Sequence, residues 1–383
     1  MKTPLTPLLL FAALGVAACL AGEPGETGDP KVGMDRPELE KLLEEARAKH
    51  DLPMLAGAIV TDDGLRLVAA VGVRKRGATV KATDDDQVHL GSDTKPITAW
   101  LIAWLIQQGL LGWDTTLDKV FPELAKEWPE THRKLTVTEL LTHHSGLPAN
   151  YPGGWWSIPV KGTPREQRLV LMKKLGTIEL AAKPGEKYLY SNLGYTVVGA
   201  IAERVGKASW EKLLEKQVLG PLGMKNVGHG PMGKEDAIVQ PWPHSAQGKP
   251  IAPKWNADNP PVMGPAGRLH CSLPTWSKFI ADLLRGSRGD KGLLEAGTYA
   301  KMFDTPYDDT FYCRGGWTGR RANAAGKGLL LTHDGSNTQN YCTAAVLPDD
   351  NLGVLVATNQ GGDEARDACA YVRKALVKKW TAR

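Results

Sequence analysis

Hydrophobic spacing near the N-terminus predicts one helix followed by a pair of strands. Apolar residues recur at helical intervals over 36–50, and two β-like runs follow at 54–61 and 65–73. The sequence Asp-Asp-Gly at 62–64 separates the two runs and is typical of a tight turn. We therefore expect a β-hairpin directly after the first helix.

The C-terminal third shows the same two kinds of pattern in the opposite order. Short β-rich runs cover 328–333, 340–347 and 352–358, and turn residues such as those at 348–351 separate them. A helical pattern over 364–379 follows the last run. Strands near both ends of the chain predict a sheet that both ends complete.

The middle of the chain is predominantly helical. A strongly apolar helix pattern covers 94–108, and a Thr-Val-Thr-Glu capping sequence at 136–139 opens a short helix through His143. Further helical patterns lie at 165–175, 193–205, 210–218 and 275–284. Together these patterns predict an α/β (α+β) fold over 36–383, with a helical region inserted between the strands at about 93–270.

The first residues of the chain carry the pattern of an export signal. One positive charge at Lys2 precedes a 13-residue apolar run at 8–20, which is shorter than the ~18 residues that a membrane-spanning helix needs. We expect a signal peptide at 1–21 and a Gly/Glu/Pro-rich tether at 22–35. The sequence contains no later stretch that is long and apolar enough to span a bilayer.

The end of the apolar run leaves two alternatives for the mature N-terminus. Val-Ala-Ala-Cys at 16–19 resembles a bacterial lipobox, in which Cys19 becomes the lipidated first residue of the mature protein. Cleavage near Ala18 or Ala21 without lipidation fits the same residues. The sequence therefore predicts an exported bacterial protein that is periplasmic, anchored to a membrane through a lipid at Cys19, or secreted.

Composition and charge argue against several other classes of protein. The formal net charge is +5 over 383 residues, without the basic stripe interleaved with aromatic residues that nucleic-acid binding favours. Glycine and proline, 42 and 26 residues, are too few for a low-complexity chain. No two cysteines have CxxC spacing, and an exported chain could form disulfides among the last four, whose pairing stays open. Those four are Cys271, Cys313, Cys342 and Cys369.

Several common catalytic motifs are absent from the sequence. It has no G-x-S-x-G, no phosphate-binding loop and no H-E-x-x-H pair. Adjacent residues on a helix point in different directions, so we interpret His143 and His144 as a helix end rather than as joint metal ligands. What remains is a Ser-x-x-Lys spacing, which occurs at 92–95 and again at 209–212. Because this spacing is common by chance, the context of each copy decides its meaning.

The two copies differ in their surroundings. Ser209 precedes an amphipathic helix and suits an N-cap, which leaves Lys212 on a solvated face. Ser92 follows a β-like segment, and Lys95 begins an apolar helix, where a buried charge is costly. At i, i+3 the amine of Lys95 lies beside the Ser92 hydroxyl, and the helix N-terminus offers N–H groups to an oxyanion. The alternative is an N-cap serine with a lysine that extends to solvent.

Two further stretches carry residues that could take part in chemistry. Tyr-Ser-Asn at 190–192 precedes a helix. A phenol near an ammonium can titrate low enough to act as a base, and the Asn192 amide can hold a substrate carbonyl. His-Asp-Gly-Ser at 333–336 ends a β-like run, where Gly335 would let a substrate backbone approach and the Ser336 N–H could donate to an oxyanion. Each stretch alone also fits an ordinary cap or turn.

The order of the three stretches is similar to that of the penicillin-recognising serine hydrolases. Ser-x-x-Lys at 92, Tyr-x-Asn at 190 and His-x-Gly at 333 resemble class C β-lactamases and their relatives, the serine-type DD-carboxypeptidases, β-lactamase-like esterases and D-amino-acid-specific peptidases. The resemblance runs from about residue 36 to the C-terminus. It implies a mostly antiparallel sheet flanked by the N- and C-terminal helices. Further similar stretches lie at 140–148, 220–224, 267–269 and 352–359.

The resemblance also implies a role for each candidate residue. Ser92 would be the nucleophile that forms an acyl-enzyme, and Lys95 and Tyr190 together would remove its proton and later activate water. The backbone N–H groups of Ser92 and Ser336 would form the oxyanion hole. The family needs no metal and no organic cofactor, and it acts on small-molecule or peptide substrates. The substrate-binding residues would be Asn192, His333 and Gly335.

The third stretch departs from the pattern of many relatives. They carry Lys-Thr-Gly, and some DD-peptidases carry His-Thr-Gly, whereas this chain has His333-Asp334-Gly335. An imidazole of ordinary pKa is mostly neutral at pH 7, and a carboxylate about 4 Å from another costs on the order of 4 kcal/mol at an effective dielectric near 20. We expect poor activity on penicillin or a free D-Ala C-terminus and a preference for uncharged esters or amides, or for a cationic substrate. Strand alternation could instead turn Asp334 away from the cleft.

The sequence therefore predicts an exported serine hydrolase that cleaves an ester or amide through a Ser92 acyl-enzyme. A true β-lactamase or DD-carboxypeptidase is the first alternative, and a catalytically silent peptidoglycan-binding descendant of the fold is the second. Trp155 and Trp156 lie on a Gly/Pro-rich loop, where they could line a hydrophobic acyl pocket or anchor the loop. The sequence does not determine the oligomeric state.

Overall fold

A six-stranded antiparallel sheet forms the centre of the molecule. The computed structural model describes residues 33–158, 161–290, 292–321 and 328–382. Its strands are β1 (Met54–Thr61), β2 (Gly64–Gly72), β3 (Gln87–His89), β4 (Gly228–His229), β5 (Leu269–Ser272), β6 (Thr318–Arg321), β7 (Leu329–Ser336), β8 (Tyr341–Leu347) and β9 (Leu352–Thr358). The central sheet has the order β2-β1-β9-β8-β7-β6, and every neighbouring pair is antiparallel. The sheet completed from both ends of the chain is therefore confirmed.

Helices cover both faces of this sheet. They are α1 (Arg36–Lys49), α2 (Thr94–Gln107), α3 (Leu117–Val120), α4 (Glu130–Arg133), α5 (Val137–Leu141), α6 (Pro164–Lys174), α7 (Asn192–Gly206), α8 (Trp210–Leu214), α9 (Gly264–Gly267), α10 (Leu273–Ser287), α11 (Ala296–Met302) and α12 (Asp363–Thr381). The terminal helices α1 and α12 pack on one face, and α10 packs on the other. All eight residues of β1 and all seven of β9 are buried as a result. No helix in the described ranges is long and apolar enough to cross a membrane.

The helical region lies between β3 and β5, which pair with each other outside the main sheet. The small sheet has the order β3-β5-β4, and its register places His89 opposite His270. Helix α2 is the centre of this region, because eleven of its fourteen residues are buried on all sides. The turn between β3 and α2 therefore sits where the helical region meets the main sheet.

Most predicted elements match the structure, and the differences are local. The capping box at Thr136 forms, since its side chain accepts from the Glu139 N–H and Glu139 accepts from the Thr136 N–H, but the helix ends at Leu141 rather than at His143. The helix predicted over 210–218 is α-helical only to Leu214, and a π-helical turn, Glu215–Leu219, follows it.

One boundary matters for the site. The strand predicted to end at His333 continues to Ser336, so the His-Asp-Gly-Ser stretch lies inside β7 rather than after it. Side chains within a strand alternate between its faces, and this alternation separates His333 and Gly335 from Asp334.

The predictions for the N-terminus fall outside the described residues, whereas those for the later cysteines can be compared with the structure. The proposed signal peptide at 1–21, most of the tether at 22–35 and the Cys19 lipid site lie outside the described residues. The later cysteines lie within the described residues, and each is a buried free thiol rather than half of a disulfide. They are Cys271, Cys313, Cys342 and Cys369.

Candidate active site

Ser92 lies in a short 3-10 turn, Gly91–Asp93, between β3 and α2. Gly91 has φ +48°, a conformation that favours glycine, and a Cβ there would lie 2.4 Å from the backbone N of Ser336. Glycine is therefore required for two reasons, and the contact brings the end of β7 against the residue before Ser92. The predicted nucleophile and the predicted second oxyanion donor thus belong to touching segments.

Lys95 is completely buried in the first turn of α2, with its amine directed at Ser92. Its Nζ lies 3.0 Å from Ser92 Oγ, 2.8 Å from Asn192 Oδ1 and 2.7 Å from the carbonyl oxygen of Ala266. Burial lowers the pKa of the Lys95 ammonium well below 10.5, because a charged amine loses its solvation there. The alternative interpretation, in which the Lys95 side chain extends to solvent, is therefore wrong.

Tyr190 and Asn192 approach the same amine from the start of α7. Ser191 caps that helix by accepting from the Gly194 N–H at 2.9 Å, which fixes the residues on either side of it. The Tyr190 ring centre lies 4.7 Å from Lys95 Nζ, and its hydroxyl is near enough to the Ser92 side chain to affect the pKa of the phenol. The structure therefore brings Ser92, Lys95, Tyr190 and Asn192 together.

The expected lowering of the tyrosine pKa is wrong. Burial raises the pKa of Tyr190 well above 10, and the nearby Ser92 side chain offsets only part of that rise. The sequence argument considered the nearby lysine but not the desolvation of the phenol. Tyr190 is consequently a protonated phenol at neutral pH, and the amine of Lys95 is the group whose pKa moves toward the physiological range.

An aromatic cluster around His143 forms one wall of the site, and the sequence analysis did not anticipate it. The His143 ring centre lies 4.3 Å from that of Tyr190 and 4.6 Å from that of Tyr312. Its Nδ1 accepts from the Ser191 N–H at 3.0 Å, and burial lowers its pKa well below 6.5. His143 is therefore a neutral ring that supports the Tyr190 segment. Its φ of +63°, just past the end of α5, directs it there.

His333 contacts the nucleophile turn through Asp93. Its Nδ1 lies 3.0 Å from Asp93 Oδ1, although the two atoms are not aligned as a hydrogen bond, and its Nε2 lies 3.1 Å from the Tyr312 hydroxyl. Asp93 is fully buried, and burial raises the pKa of its carboxyl group. Its second oxygen accepts from Cys342 Sγ at 3.1 Å. The imidazole at 333 is therefore placed at the site beside an acid, where many relatives carry a lysine.

Gly335 allows β7 to pack closely against the backbone of Leu90. A Cβ at that position would lie 1.9 Å from the carbonyl oxygen of Leu90 and 2.7 Å from Cys342 Sγ. The sequence analysis assigned this glycine to the approach of a substrate backbone. In the structure it is required by the packing of β7 on the segment just before Ser92.

Asp334 points away from the cleft, as strand alternation allows. Its Oδ1 accepts from Thr343 Oγ1 at 2.5 Å and pairs with Arg373 of α12 at 3.1 Å. The carboxylate therefore lies on the α12 face of the sheet and is paired with a cation. This placement removes the basis for the predicted repulsion between Asp334 and a substrate carboxylate.

The second Ser-x-x-Lys copy forms no comparable site. Ser209 caps α8 by accepting from the Lys212 N–H at 3.3 Å, and the side chain of Lys212 is exposed. Both features match the expectation from the sequence. The spacing at 209–212 therefore reflects a helix cap.

The loop with the two tryptophans is tied to the site through Asn150. Asn150 Oδ1 accepts from Trp155 Nε1 and from Asn192 Nδ2, both at 2.9 Å. Trp155 is buried and anchors the loop, whereas Trp156 is 46% exposed and lies against the exposed Trp255, with 5.8 Å between ring centres.

Within the described residues, no group of three or more His, Cys, Asp or Glu side chains could hold a metal ion.

A buried amine 3.0 Å from a serine hydroxyl at a helix start, with a phenol beside both, is the arrangement of a serine hydrolase. Residues 39–378 match the model of the Beta-lactamase family. The chain therefore belongs to that family of penicillin-recognising serine hydrolases.

Curated relatives align with about half of this chain and about half of their own length. The D-alanyl-D-alanine-carboxypeptidase/endopeptidase AmpH of Escherichia coli (strain K12) is 34% identical over 175 residues, which cover 45% of this chain and 44% of AmpH. Penicillin-binding protein 4 of Amycolatopsis lactamdurans is 29% identical over 190 residues, which cover 50% and 48%.

Solved structures show the fold over a larger share of the chain. The octameric penicillin-binding protein homologue from Pyrococcus abyssi has a TM-score of 0.71 at 24% identity, over 90% of this chain and 78% of its own. The beta-lactamase from Sulfitobacter sp. EE-36 has a TM-score of 0.70 at 19% identity, over 91% and 99%. At these identities the likeness concerns the fold alone.

Proposed function

We propose that this protein cleaves an ester or amide through an acyl-enzyme on Ser92, with the amine of Lys95 as the general base. The observation that carries the proposal is the 3.0 Å distance between Lys95 Nζ and Ser92 Oγ inside a site where the amine is completely buried. An amine so placed can take the proton of the attacking hydroxyl without moving.

Of the three contacts of Lys95 Nζ, the one with Ser92 is the one through which a proton can be exchanged. Asn192 Oδ1 and the Ala266 carbonyl oxygen can only accept, so they take two N–H groups of the amine. Nζ donates its third N–H to Ser92 Oγ at 3.0 Å, and once the amine is neutral a lone pair takes the place of that N–H and can accept the hydroxyl proton. Burial also lowers the pKa of this group well below 10.5, which favours the neutral amine.

In the acylation step, the Ser92 oxygen attacks the substrate carbonyl carbon as its proton passes to Lys95. The carbonyl oxygen becomes an oxyanion, and we assign the backbone N–H groups of Ser92 and Ser336 as its donors. Tyr190 stays protonated and lies beside Lys95 and Ser92, so it can relay a proton from Lys95 to the departing alcohol or amine. The bond to the leaving group then breaks, and the acyl group stays on Ser92.

Water completes the reaction by attacking the acyl-enzyme. Lys95 now takes the proton of that water, and Tyr190 relays a proton from Lys95 to the Ser92 oxygen, which leaves as a hydroxyl. The products are a carboxylic acid and the free enzyme. Asn192, which bridges Lys95 and Asn150, is placed to orient the substrate amide or ester.

The preference for uncharged substrates rests on His333 and Asp93 rather than on Asp334. Where many relatives place a lysine ammonium, this chain places an imidazole 3.0 Å from a buried carboxyl group. A substrate carboxylate gains less from such a pair than from a free cation. We therefore propose neutral esters or amides as the preferred substrates.

A second candidate activity is the hydrolysis of D-alanyl peptides. The observation in its favour is the alignment of 175 residues with AmpH, a D-alanyl-D-alanine carboxypeptidase and endopeptidase. An endopeptidase substrate presents no carboxylate at the scissile bond, so it is compatible with His333. We place β-lactam hydrolysis third.

An activity profile tests these assignments. Rates of kcat/KM for a short p-nitrophenyl ester, a D-alanyl-D-alanine peptide and a chromogenic cephalosporin are compared in wild type, Ser92→Ala and Asp334→Asn. We expect the ester to be fastest, Ser92→Ala to be inactive on all three, and Asp334→Asn to keep the wild-type ranking. A faster cephalosporin would overturn the substrate preference, and full activity of Ser92→Ala would overturn the mechanism.

We also propose that the protein is exported, because its first 21 residues have the composition of a signal peptide. Mass spectrometry of the mature N-terminus from expressing bacteria tests both alternatives for processing. A lipid-modified Cys19 would support anchoring, and a new N-terminus near Ala18 or Ala21 would support simple cleavage. Recovery of the intact residues 1–21 in the cytoplasm would contradict export.

A further inference from the structure

A buried carboxylate outside the catalytic group lies between the two segments that carry the assigned oxyanion donors. This carboxylate is Asp258, in the stretch between β4 and α9, and its side chain is 1% exposed. One oxygen lies 2.9 Å from His89 Nε2, and the other accepts from Asn337 Nδ2 at 2.9 Å. The buried carboxylate therefore connects β3 with the turn after β7.

On the first side, His89 holds the turn of the nucleophile. Its Nδ1 lies 3.0 Å from the Gly91 backbone N, and because that N–H can only donate, Nδ1 must be unprotonated. The proton of the ring is then on Nε2 and is donated to Asp258. Gly91 directly precedes Ser92, so this chain of hydrogen bonds fixes the direction of the Ser92 N–H.

On the second side, Asn337 holds the end of β7. Its Oδ1 accepts from the Asn340 N–H at 2.9 Å and the Gln339 N–H at 3.2 Å, which closes the turn that follows Ser336. Its Nδ2 is the group that donates to Asp258. Asn337 Oδ1 also accepts from Asn340 Nδ2 at 3.1 Å, so this side chain connects the turn after Ser336 to the same carboxylate.

Asp258 is ionised in this arrangement. Burial alone would raise its pKa, but His89, Asn337 and the guanidinium of Arg268 outweigh that effect, so the pKa lies below 3.8. Arg268 Nε lies 4.0 Å away and supplies the nearby positive charge. An ionised acceptor makes both hydrogen bonds stronger than those of a neutral group.

We infer that Asp258 is a positioning residue that sets the distance between the backbone N–H groups of Ser92 and Ser336, acting through His89 and Asn337. This inference rests on the proposed function, since it concerns the geometry of an oxyanion hole. The two donors belong to segments 244 residues apart, and Asp258 touches a side chain of each. Oxyanion stabilisation depends on donor placement, so a small displacement lowers kcat far more than it changes substrate binding.

Two variants of His89 separate its contacts. Asn at 89 can place an amide oxygen where Nδ1 lies, so His89→Asn keeps the acceptor for Gly91 and loses the contact with Asp258. Gln at 89 can extend to Asp258, so His89→Gln keeps that contact and loses the acceptor.

Asp258→Asn keeps the shape of the side chain and removes its charge. Glu203→Gln is the control, because Glu203 is also a buried carboxylate in an ion pair, 2.6 Å from Arg168, in the last turns of α7, at the end opposite Asn192.

The experiment measures kcat, KM, melting temperature and the affinity for phenylboronic acid, whose tetrahedral adduct on Ser92 places an oxygen at the same two donors. We expect Asp258→Asn to lower kcat by about 10- to 100-fold with little change in KM, and to weaken boronate binding by a similar factor. We expect His89→Asn and His89→Gln to do the same. Glu203→Gln should lower the melting temperature and leave kcat and boronate binding unchanged.

The outcomes separate this inference from the proposed function. If wild type neither turns over an ester nor binds the boronate, the proposed function is wrong. If wild type is active and the three folded variants match it in kcat and boronate affinity, the inference is wrong. If Asp258→Asn does not fold, the two His89 variants decide. Equal losses in Glu203→Gln would show that any buried carboxylate has this effect, which also contradicts the inference.

Discussion

The two Ser-x-x-Lys segments of this chain have the same spacing and opposite environments. At 92–95 the lysine is completely buried, and its amine lies 3.0 Å from the serine hydroxyl. At 209–212 the serine accepts from the backbone N–H of the lysine residue at 3.3 Å, and the lysine side chain is exposed. The first serine faces an amine, and the second faces a peptide group.

The difference shows that enclosure of the amine, rather than the spacing, makes a reactive site. Burying a lysine costs free energy unless its donors are satisfied, and here Asn192 and Ala266 satisfy two of them. The same burial lowers the pKa of Lys95 and so favours the neutral amine, which is the form that can accept a proton. An exposed lysine keeps its solvation and cannot act in this way.

The largest expected effect is the loss of the nucleophile. Ser92→Ala should lower kcat/KM for the ester by about 10⁴-fold or more, because removing a catalytic serine abolishes the covalent route. The matched control is Ser209→Ala, which should keep kcat/KM within about twofold of wild type, since its hydroxyl serves a helix cap. Similar losses in both variants would mean that the two segments do not differ as the structure indicates.

Removal of each lysine amine should give the next largest effect. Lys95→Met should lower kcat by about 10²- to 10⁴-fold, the usual contribution of a general base. Lys212→Met changes an exposed side chain and should leave kcat unchanged. Steady-state kinetics on one ester suffice, and a kcat for Lys95→Met near that of wild type would remove Lys95 from the mechanism.

The dependence of stability on pH should also distinguish the lysines. The folded-state pKa of Lys95 lies below its unfolded value of about 10.4, so between the two values the unfolded chain binds more protons. The free energy of unfolding contributed by this group therefore rises with pH in that window, by up to about 1.4 kcal/mol per pH unit.

Urea unfolding across that window measures this slope. The difference between wild type and Lys95→Met should increase with pH, and the curve for Lys212→Met should run parallel to wild type. A constant difference between wild type and Lys95→Met would contradict a lowered pKa.

The smallest expected effect concerns the cap itself. Ser209→Ala removes the acceptor for the Lys212 N–H and should lower the free energy of unfolding by about 0.5–2 kcal/mol. Thermal unfolding measures this change. An unaltered stability together with lost activity would reverse the roles that we assign to the two serines.

The sequence predicted the elements well because local patterns determine them. The hairpin of β1 and β2, the capping box at Thr136 and the run at Leu352–Thr358 all appear as expected. The boundary at His333 was wrong because the apolar alternation stops there, while the hydrogen bonds of β7 with β8 continue to Ser336. Pairing between strands adds residues that periodicity does not reveal.

Contacts between distant segments were beyond the reach of the sequence. The pairing of His89 with Asp258 joins residues 169 positions apart, and neither residue lies in a recognised motif. His143 was interpreted as a helix end, yet its positive φ turns its ring toward Tyr190. The direction of the Tyr190 pKa was wrong because burial, which a single sequence does not give, outweighs the nearby amine. The sequence offered one indication of the role of His89: it lies two residues before Gly91, close enough for its ring to accept a hydrogen bond from the backbone just before Ser92.

Covalent labelling tests most directly whether the buried amine of Lys95 activates Ser92. The protein is treated with a fluorophosphonate at several pH values, and the modified peptide is identified by mass spectrometry. We expect a single adduct on Ser92, a labelling rate that rises with pH, a strongly reduced rate in Lys95→Met and an unchanged rate in Lys212→Met. An adduct on Ser209, or labelling of Ser92 at the same rate in Lys95→Met as in wild type, would contradict the account.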